Sequence, residues 1–122
     1  MRKREQPVEA ALPLKDLELL VLLATEQEPL HGYALLARVA ARSNGFLQPG
    51  PASLYRTLSQ LVSEGLLEEA VGHVDPASGD ERRRYFRPTA RGRAVLRAEL
   101  RRLSALLGEA RAMGIRFEGG TR

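Results

Sequence analysis

Ser53, Arg56, Ser59 and Gln60 are the side chains in this sequence best suited to recognition chemistry. Steps of three and four residues put them, with Ala52 and Ser63, on one side of a helix through the segment. Short hydroxyls, an amide and a guanidinium on one face can hydrogen-bond base edges in a DNA major groove and reach flanking phosphates. The same residue types also occur on ordinary solvated helices, so the segment alone leaves both readings open. A second basic set, Arg82-Arg83-Arg84-Tyr85-Phe86-Arg87, follows later in the chain. Strand alternation would give Arg82, Arg84 and Phe86 one face and Arg83, Tyr85 and Arg87 the other. With Phe86 packed inward, the strand arginines are candidates for the phosphate backbone or an adjacent minor groove. Asp75, Asp80 and Glu81 would repel phosphates, so the expectation rests on the strand rather than on the loop before it.

Catalytic chemistry lacks its parts. His31 and His73 are the only histidines and fall in different segments, and cysteine is absent altogether. His31 suits a hydrogen bond at a helix start, and His73, beside Asp75, a solvated loop. Glu68 and Glu69 are neighbours on an expected strand and so point to opposite faces, unsuited to acting as one acid–base pair. Neither a phosphate-cradling glycine loop nor a metal-ligand cluster is present. The expectation is a non-enzyme with no cofactor and no metal.

Composition agrees with a polyanionic partner without naming it. The chain has 122 residues, 43% hydrophobic and 28% charged, with a net charge of +4 and an isoelectric point near 10.1. That length provides one core plus an extension. Lys3 and Lys15 are the only lysines; arginine favours bidentate contacts to phosphate or guanine, although GC-rich coding also enriches it. No apolar run approaches the roughly 20 residues of a membrane span and no signal-peptide pattern opens the chain, so a soluble cytoplasmic protein with no membrane partner is expected.

The positioning elements follow from periodicity. Residues 1–13 carry Arg2, Lys3 and Arg4 with two prolines and read as a flexible basic arm. Leu14 to Glu26 is a helix apolar nearly all round, ended by Glu28-Pro29. His31-Gly32-Tyr33 opens a second helix, with Tyr33, Leu36, Val39 and Ala40 at helical spacing, and Asn44-Gly45 reverses the chain. Phe46 and Leu47 are expected to plug that turn into the core. Pro51 starts a third helix, Gly65 stops it, and Leu54, Leu58, Leu61 and Val62 form its apolar side. Leu66 to Val71 and Arg82 to Arg87 then read as two strands around a loop at Gly72 to Asp80. Three helices and a hairpin make a winged helix-turn-helix over residues 14–89, mainly α with a small β-hairpin.

Thr89 suits an N-cap for a long helix over residues 90–113, about 36 Å at ~1.5 Å per residue. Its Leu96, Leu100, Leu103, Leu107 and Ala110 alternate steps of four and three, the seam of a short coiled coil. That pattern predicts a homodimer through this helix; packing back on its own domain is the alternative. Gly108 would mark a kink or close crossing, and residues 114–122 a flexible tail.

His31-Gly32-Tyr33, Leu54-Tyr55, Leu61 with Glu64-Gly65-Leu66, and Arg84-Tyr85-Phe86-Arg87-Pro88-Thr89 with Gly92 and Leu96 together resemble the PadR family of bacterial transcriptional regulators. The resemblance spans about residues 14 to 107 and is closest to the short-tailed branch with a single C-terminal helix. It implies a homodimeric winged helix-turn-helix repressor on double-stranded DNA, released by a small aromatic or drug-like effector or another signal. Carried onto this chain, Ser53, Tyr55 and Arg56 would face DNA from the third helix, and Arg83 and Arg84 from the wing. Tyr55 could instead be half-buried, its hydroxyl alone reaching a phosphate. Phe86, Pro88 and the acidic loop depart from the family pattern and bear on wing geometry. A winged-helix module that binds protein and not specific DNA is the alternative function.

Overall fold

The structure is a computed structural model that describes residues 6–70 and 84–118. Helix α1 (Asp16–Thr25) starts where Glu18 Oε1 accepts the Lys15 amide at 2.8 Å. Val21, Leu22 and Ala24 are buried and the other leucines of α1 pack against that core, which is how so apolar a helix keeps little of its surface in water. Helix α2 (Gly32–Arg42) is capped by His31, whose Nδ1 accepts the Ala34 amide at 3.2 Å. Helix α3 (Pro51–Ser63) begins on proline, where the missing N–H leaves no bond unmade, and is closed by Gly65 at φ 77°.

Three short strands cover one end of the helices. β1 (Leu30–His31), β2 (Leu67–Glu69) and β3 (Tyr85–Pro88) form an antiparallel sheet in the order β1-β3-β2. The hairpin was expected from the sequence; β1 was not, since two residues carry no periodicity. Leu30 pairs with Phe86, and Glu69 pairs with Phe86 from the other side, so β3 is central and Phe86 is buried as anticipated. The expected loop, with His73, Asp75, Asp80, Glu81, Arg82 and Arg83, lies outside the described residues.

Helix α4 (Ala90–Ala112) is locked at its start by a tight junction. Thr89 Oγ1 accepts the Gly92 amide at 2.9 Å and donates to the Gly65 carbonyl at 2.6 Å, while the Thr89 amide donates to the Leu66 carbonyl at 3.1 Å. A Cβ at Gly92 would fall inside the van der Waals radius of the Leu66 oxygen, so only glycine allows the helix this close.

Several expectations change. The arm does not run to Pro13: Val8–Ala11 form a 3-10 turn whose Val8, Ala11 and Leu12 pack against the core and along α4. Phe46 is 88% exposed and Leu47 alone turns inward, because Ser43 Oγ accepts the Leu47 amide and fixes which residue faces the core. Tyr33 is 75% exposed, the buried stripe of α2 being Gly32, Leu35 and Val39. Val62 is exposed because it lies roughly 80° around α3 from Leu54 at ~100° per residue, beyond the edge of the Leu54, Leu58 and Leu61 stripe. α4 runs through Gly108 unbroken, with open space around it. Residues 114–118 fold back: Gly114 at φ 85° lets the Ile115 amide reach the Ala110 carbonyl, and Arg111 pairs with Glu118 at 2.7 Å.

Glu99 was not singled out by sequence, yet it is only 1% exposed and fastens the N-terminal segment to α4. Its carboxylate accepts the Leu14 amide at 3.1 Å and both Arg102 Nε and Nη2, at 2.7 and 2.9 Å. The Arg102 guanidinium, helped by the Leu14 amide, holds the Glu99 carboxyl below its ordinary value against the opposing effect of burial. A depressed pKa contributes stability that is full above the usual value near 4.5 and is lost as pH falls through the folded-state value. Glu99→Gln is expected to cost about 1.5–3 kcal/mol at pH 7. Urea titrations should show the gap between Glu99→Gln and the native chain narrowing as pH falls below the ordinary carboxyl value.

Candidate nucleic-acid interface

Helix α3 is held by one side and open on the other. Leu54, Leu58 and Leu61 are buried under α1, α2 and β2, while Ala52, Ser53, Arg56, Ser59, Gln60 and Ser63 are all exposed. At ~100° per residue these six fall within an arc of about 120° centred opposite Leu54. Arg56 forms no ion pair among the described residues, so its five donors are available to an anion or a guanine edge. Gln60 is partly committed, its amide donating to Glu64 Oε2 at 3.3 Å. The structure therefore brings Ser53, Arg56, Ser59 and Gln60 together on one solvent-facing surface.

Tyr55 stands at the margin of that surface and is 45% exposed. Its ring end rests on Gly32, where a Cβ would overlap Tyr55 Oη and Cζ. Gly32 thus leaves room for the end of the Tyr55 ring at the start of α2, a role for this glycine that periodicity alone could not reveal. Its signal was a glycine at the first helical position, where a small residue is otherwise unneeded.

Of the two wing arginines, Arg83 lies outside the described residues. Arg84 is exposed but engaged: its Nε lies 2.6 Å from Glu69 Oε2, and its guanidinium sits over the Phe86 ring, 5.3 Å from the centroid. Arg87 is paired with Glu68 at 3.0 Å. Glu68 and Glu69 do point apart, as strand alternation requires, Glu68 serving as counter-ion to Arg87 of β3 and Glu69 to Arg84 just before it. That pairing was not foreseen, because it depends on the register of β2 against β3.

The expected seam of α4 divides in two. Leu96 is buried in the domain's own core and is withdrawn from the interface. Leu100 and Leu107 are 42% and 43% exposed, and Leu106, Met113 and Ile115 also face water, while Leu103 and Ala110 are intermediate. No group of three His, Cys, Asp or Glu among the described residues could hold a metal ion, and no described helix is long and apolar enough to cross a membrane.

A helix presented on an apolar stripe beside an arginine-bearing hairpin defines a winged helix-turn-helix DNA-binding class. The chain belongs to the transcriptional regulator PadR-like family, whose model matches residues 19–98. The chain is accordingly a transcription regulator and not an enzyme. It is similar to a PadR-like transcriptional regulator from Bacillus cereus, at 22% identity and TM-score 0.66, over 80% of this chain and 89% of that one. A PadR family regulator from Eggerthella lenta matches at 26% identity and TM-score 0.61, over 87% and 83%. An uncharacterized 37.1 kDa protein from a Streptomyces fradiae transposon is 37% identical over 93 residues, 76% of this chain; the chain spans 24% of that relative's length.

The Gly32–Tyr55 contact yields a specific expectation. Gly32→Ala should swing the end of the partly exposed Tyr55 ring outward and leave the helices in place, destabilising the fold by only about 1 kcal/mol, the low end of overpacking. Combining it with Tyr55→Ala should recover part of that loss in denaturant titrations. Equal destabilisation with and without the Tyr55 ring would place the strain elsewhere.

Proposed function

We propose that this chain is a sequence-specific, homodimeric transcriptional repressor that reads an inverted-repeat operator with α3 and contacts the flanking backbone with its wing. The observation that carries the reading is the open face of α3, in which Arg56, without an ion-pair partner among the described residues, stands among Ser53, Ser59 and Gln60. Such a face can enter a major groove, with Arg56 bidentate to a guanine and the hydroxyls and amide on neighbouring edges or phosphates. Arg84, and Arg83 before it, are assigned to the backbone. Residues 14–89 form the DNA-binding unit and α4 the dimerisation helix, in a cytoplasmic protein.

The dimer rests on the part of α4 beyond Glu99, where Leu100, Leu103, Leu107 and Ala110 keep the four-and-three spacing and the leucines at 100 and 107 stay open to water. Two such helices would bury one another's leucines, and twofold symmetry would set the half-sites about 34–36 Å apart. Release by a small aromatic or drug-like effector belongs to the same proposal. A groove of about 790 Å³ between Leu12, Lys15, Glu64 and Arg91 is large enough to receive one.

The test is binding of the purified protein to DNA from upstream of its own coding region, at two salt concentrations, against scrambled competitor. Binding that survives competition at physiological salt supports the operator reading; weak binding that competitor abolishes favours a protein-binding module of the same fold. On an operator, Arg56→Ala should cost about 1–3 kcal/mol and relax preference at one base pair. Equal loss on scrambled DNA would make Arg56 a phosphate contact. Leu100→Glu with Leu107→Glu should leave a folded monomer by light scattering, because neither side chain is needed by the domain core. An unchanged dimer mass would move the interface off α4. For the effector, aromatic compounds titrated onto the operator complex should displace DNA; a Lys15 and Arg91 double substitution that left displacement unaltered would exclude the groove.

A further inference from the structure

We propose that Glu69 acts as an internal phosphate substitute, holding Arg84 in reserve so that this arginine adds little to non-specific DNA affinity. This rests on the wing reading given above. The residues are placed by strand register. Glu69 lies opposite Phe86 across β2 and β3, and Arg84 is two residues before Phe86 on the same face. The guanidinium gives both Nε and Nη2 to one carboxylate oxygen, at 2.6 and 2.5 Å, and lies over the Phe86 ring. One carboxylate thus takes the contacts that a DNA phosphate would take, and the ring keeps the guanidinium from swinging freely.

The exposure of the pair decides how it behaves. The Arg84 and Glu69 side chains are 61% and 43% exposed, so the bond is a surface ion pair, screened and weak enough to be exchanged. A phosphate can displace Glu69 only where the rest of the protein is already docked closely enough to offer it. On loosely held, non-specific DNA the carboxylate competes on equal terms. An arginine that merely trades one anion for another also releases fewer condensed counter-ions from DNA than a free arginine does. Glu69 therefore tunes the ratio of specific to non-specific binding. Glu68, which performs the same pairing with Arg87 at 3.0 Å, provides the comparison of equal charge change.

The experiment measures binding of the full chain to operator and scrambled duplexes across a salt series. Glu69→Gln should tighten scrambled-DNA binding roughly two- to fivefold, the range of an exposed ion pair. It should also steepen the log–log salt dependence by about 0.9 for each engaged wing. The tightening on scrambled DNA should exceed that on operator. Placing Glu69→Gln in an Arg84→Ala background should abolish the gain. If the gain persists without Arg84, or Glu68→Gln reproduces it in full, Glu69 acts as plain repulsive charge and the proposal is overturned. If Glu69→Gln leaves affinity and slope unchanged while the native chain binds operator, the proposal fails and the operator reading stands. If the native chain binds neither duplex at low salt, the wing reading itself is wrong.

Discussion

The junction of Thr89, Gly92 and Leu66 is the constraint on which the geometry of this protein depends. The end of α3, the start of β2 and the start of α4 meet within three hydrogen bonds, at a spacing that no side chain at residue 92 could tolerate. Because α3 ends into this junction and β3 runs into it, the open face of α3 and the β2–β3 pair are held at one fixed relation. α4 leaves from the same point, so any partner gripping α4 is rigidly referenced to α3. Glu99 and Leu14 make a second tie further along α4, bringing the N-terminal segment onto the same helix.

Charge is distributed over this frame with a consistent logic. Among the described residues of the hairpin and α4, Arg84, Arg87, Arg93, Arg102 and Arg111 each meet a carboxylate. Arg56, on the open face of α3, meets none among the described residues. A net positive protein risks adhering to any polyanion. Pairing Arg84 and Arg87 with carboxylates, while Arg56 has no such partner among the described residues, offsets part of the hairpin's positive charge locally. The buried Glu99 differs in kind: its pairing with Arg102 is structural, since an unpaired carboxylate at that depth would be strongly unfavourable.

The elements that were legible in the sequence were those whose signals are local. Four of the helix limits were marked locally: Gly65 and Asn44-Gly45 through a left-handed backbone that few residues adopt, Pro51 through its fixed φ and missing N–H, and Thr89 through its side-chain cap. His31 as a helix start and Phe86 as an inward residue followed from capping chemistry and strand alternation. The open face of α3 was legible because an arc opposite three leucines is a matter of rotation about one axis.

What the tertiary structure decided is which of several equivalent apolar residues is buried, and which charge meets which. Leu96 and Leu100 occupy the same stripe of α4, but only Leu96 is buried in the domain, because the Val8–Ala11 turn, α1 and β3 bury the helix no further than Glu99. Phe46 and Leu47 are neighbours, and a single hydroxyl of Ser43 chooses between them. The Glu69–Arg84 and Glu68–Arg87 pairs are set by a register across a connection too long for sequence spacing to specify. The closeness of Gly32 to Tyr55 is likewise invisible until two helices are packed. Periodicity and capping depend on a few consecutive residues and were determined by the sequence alone; burial and pairing depend on distances between segments, and only the folded chain supplies those.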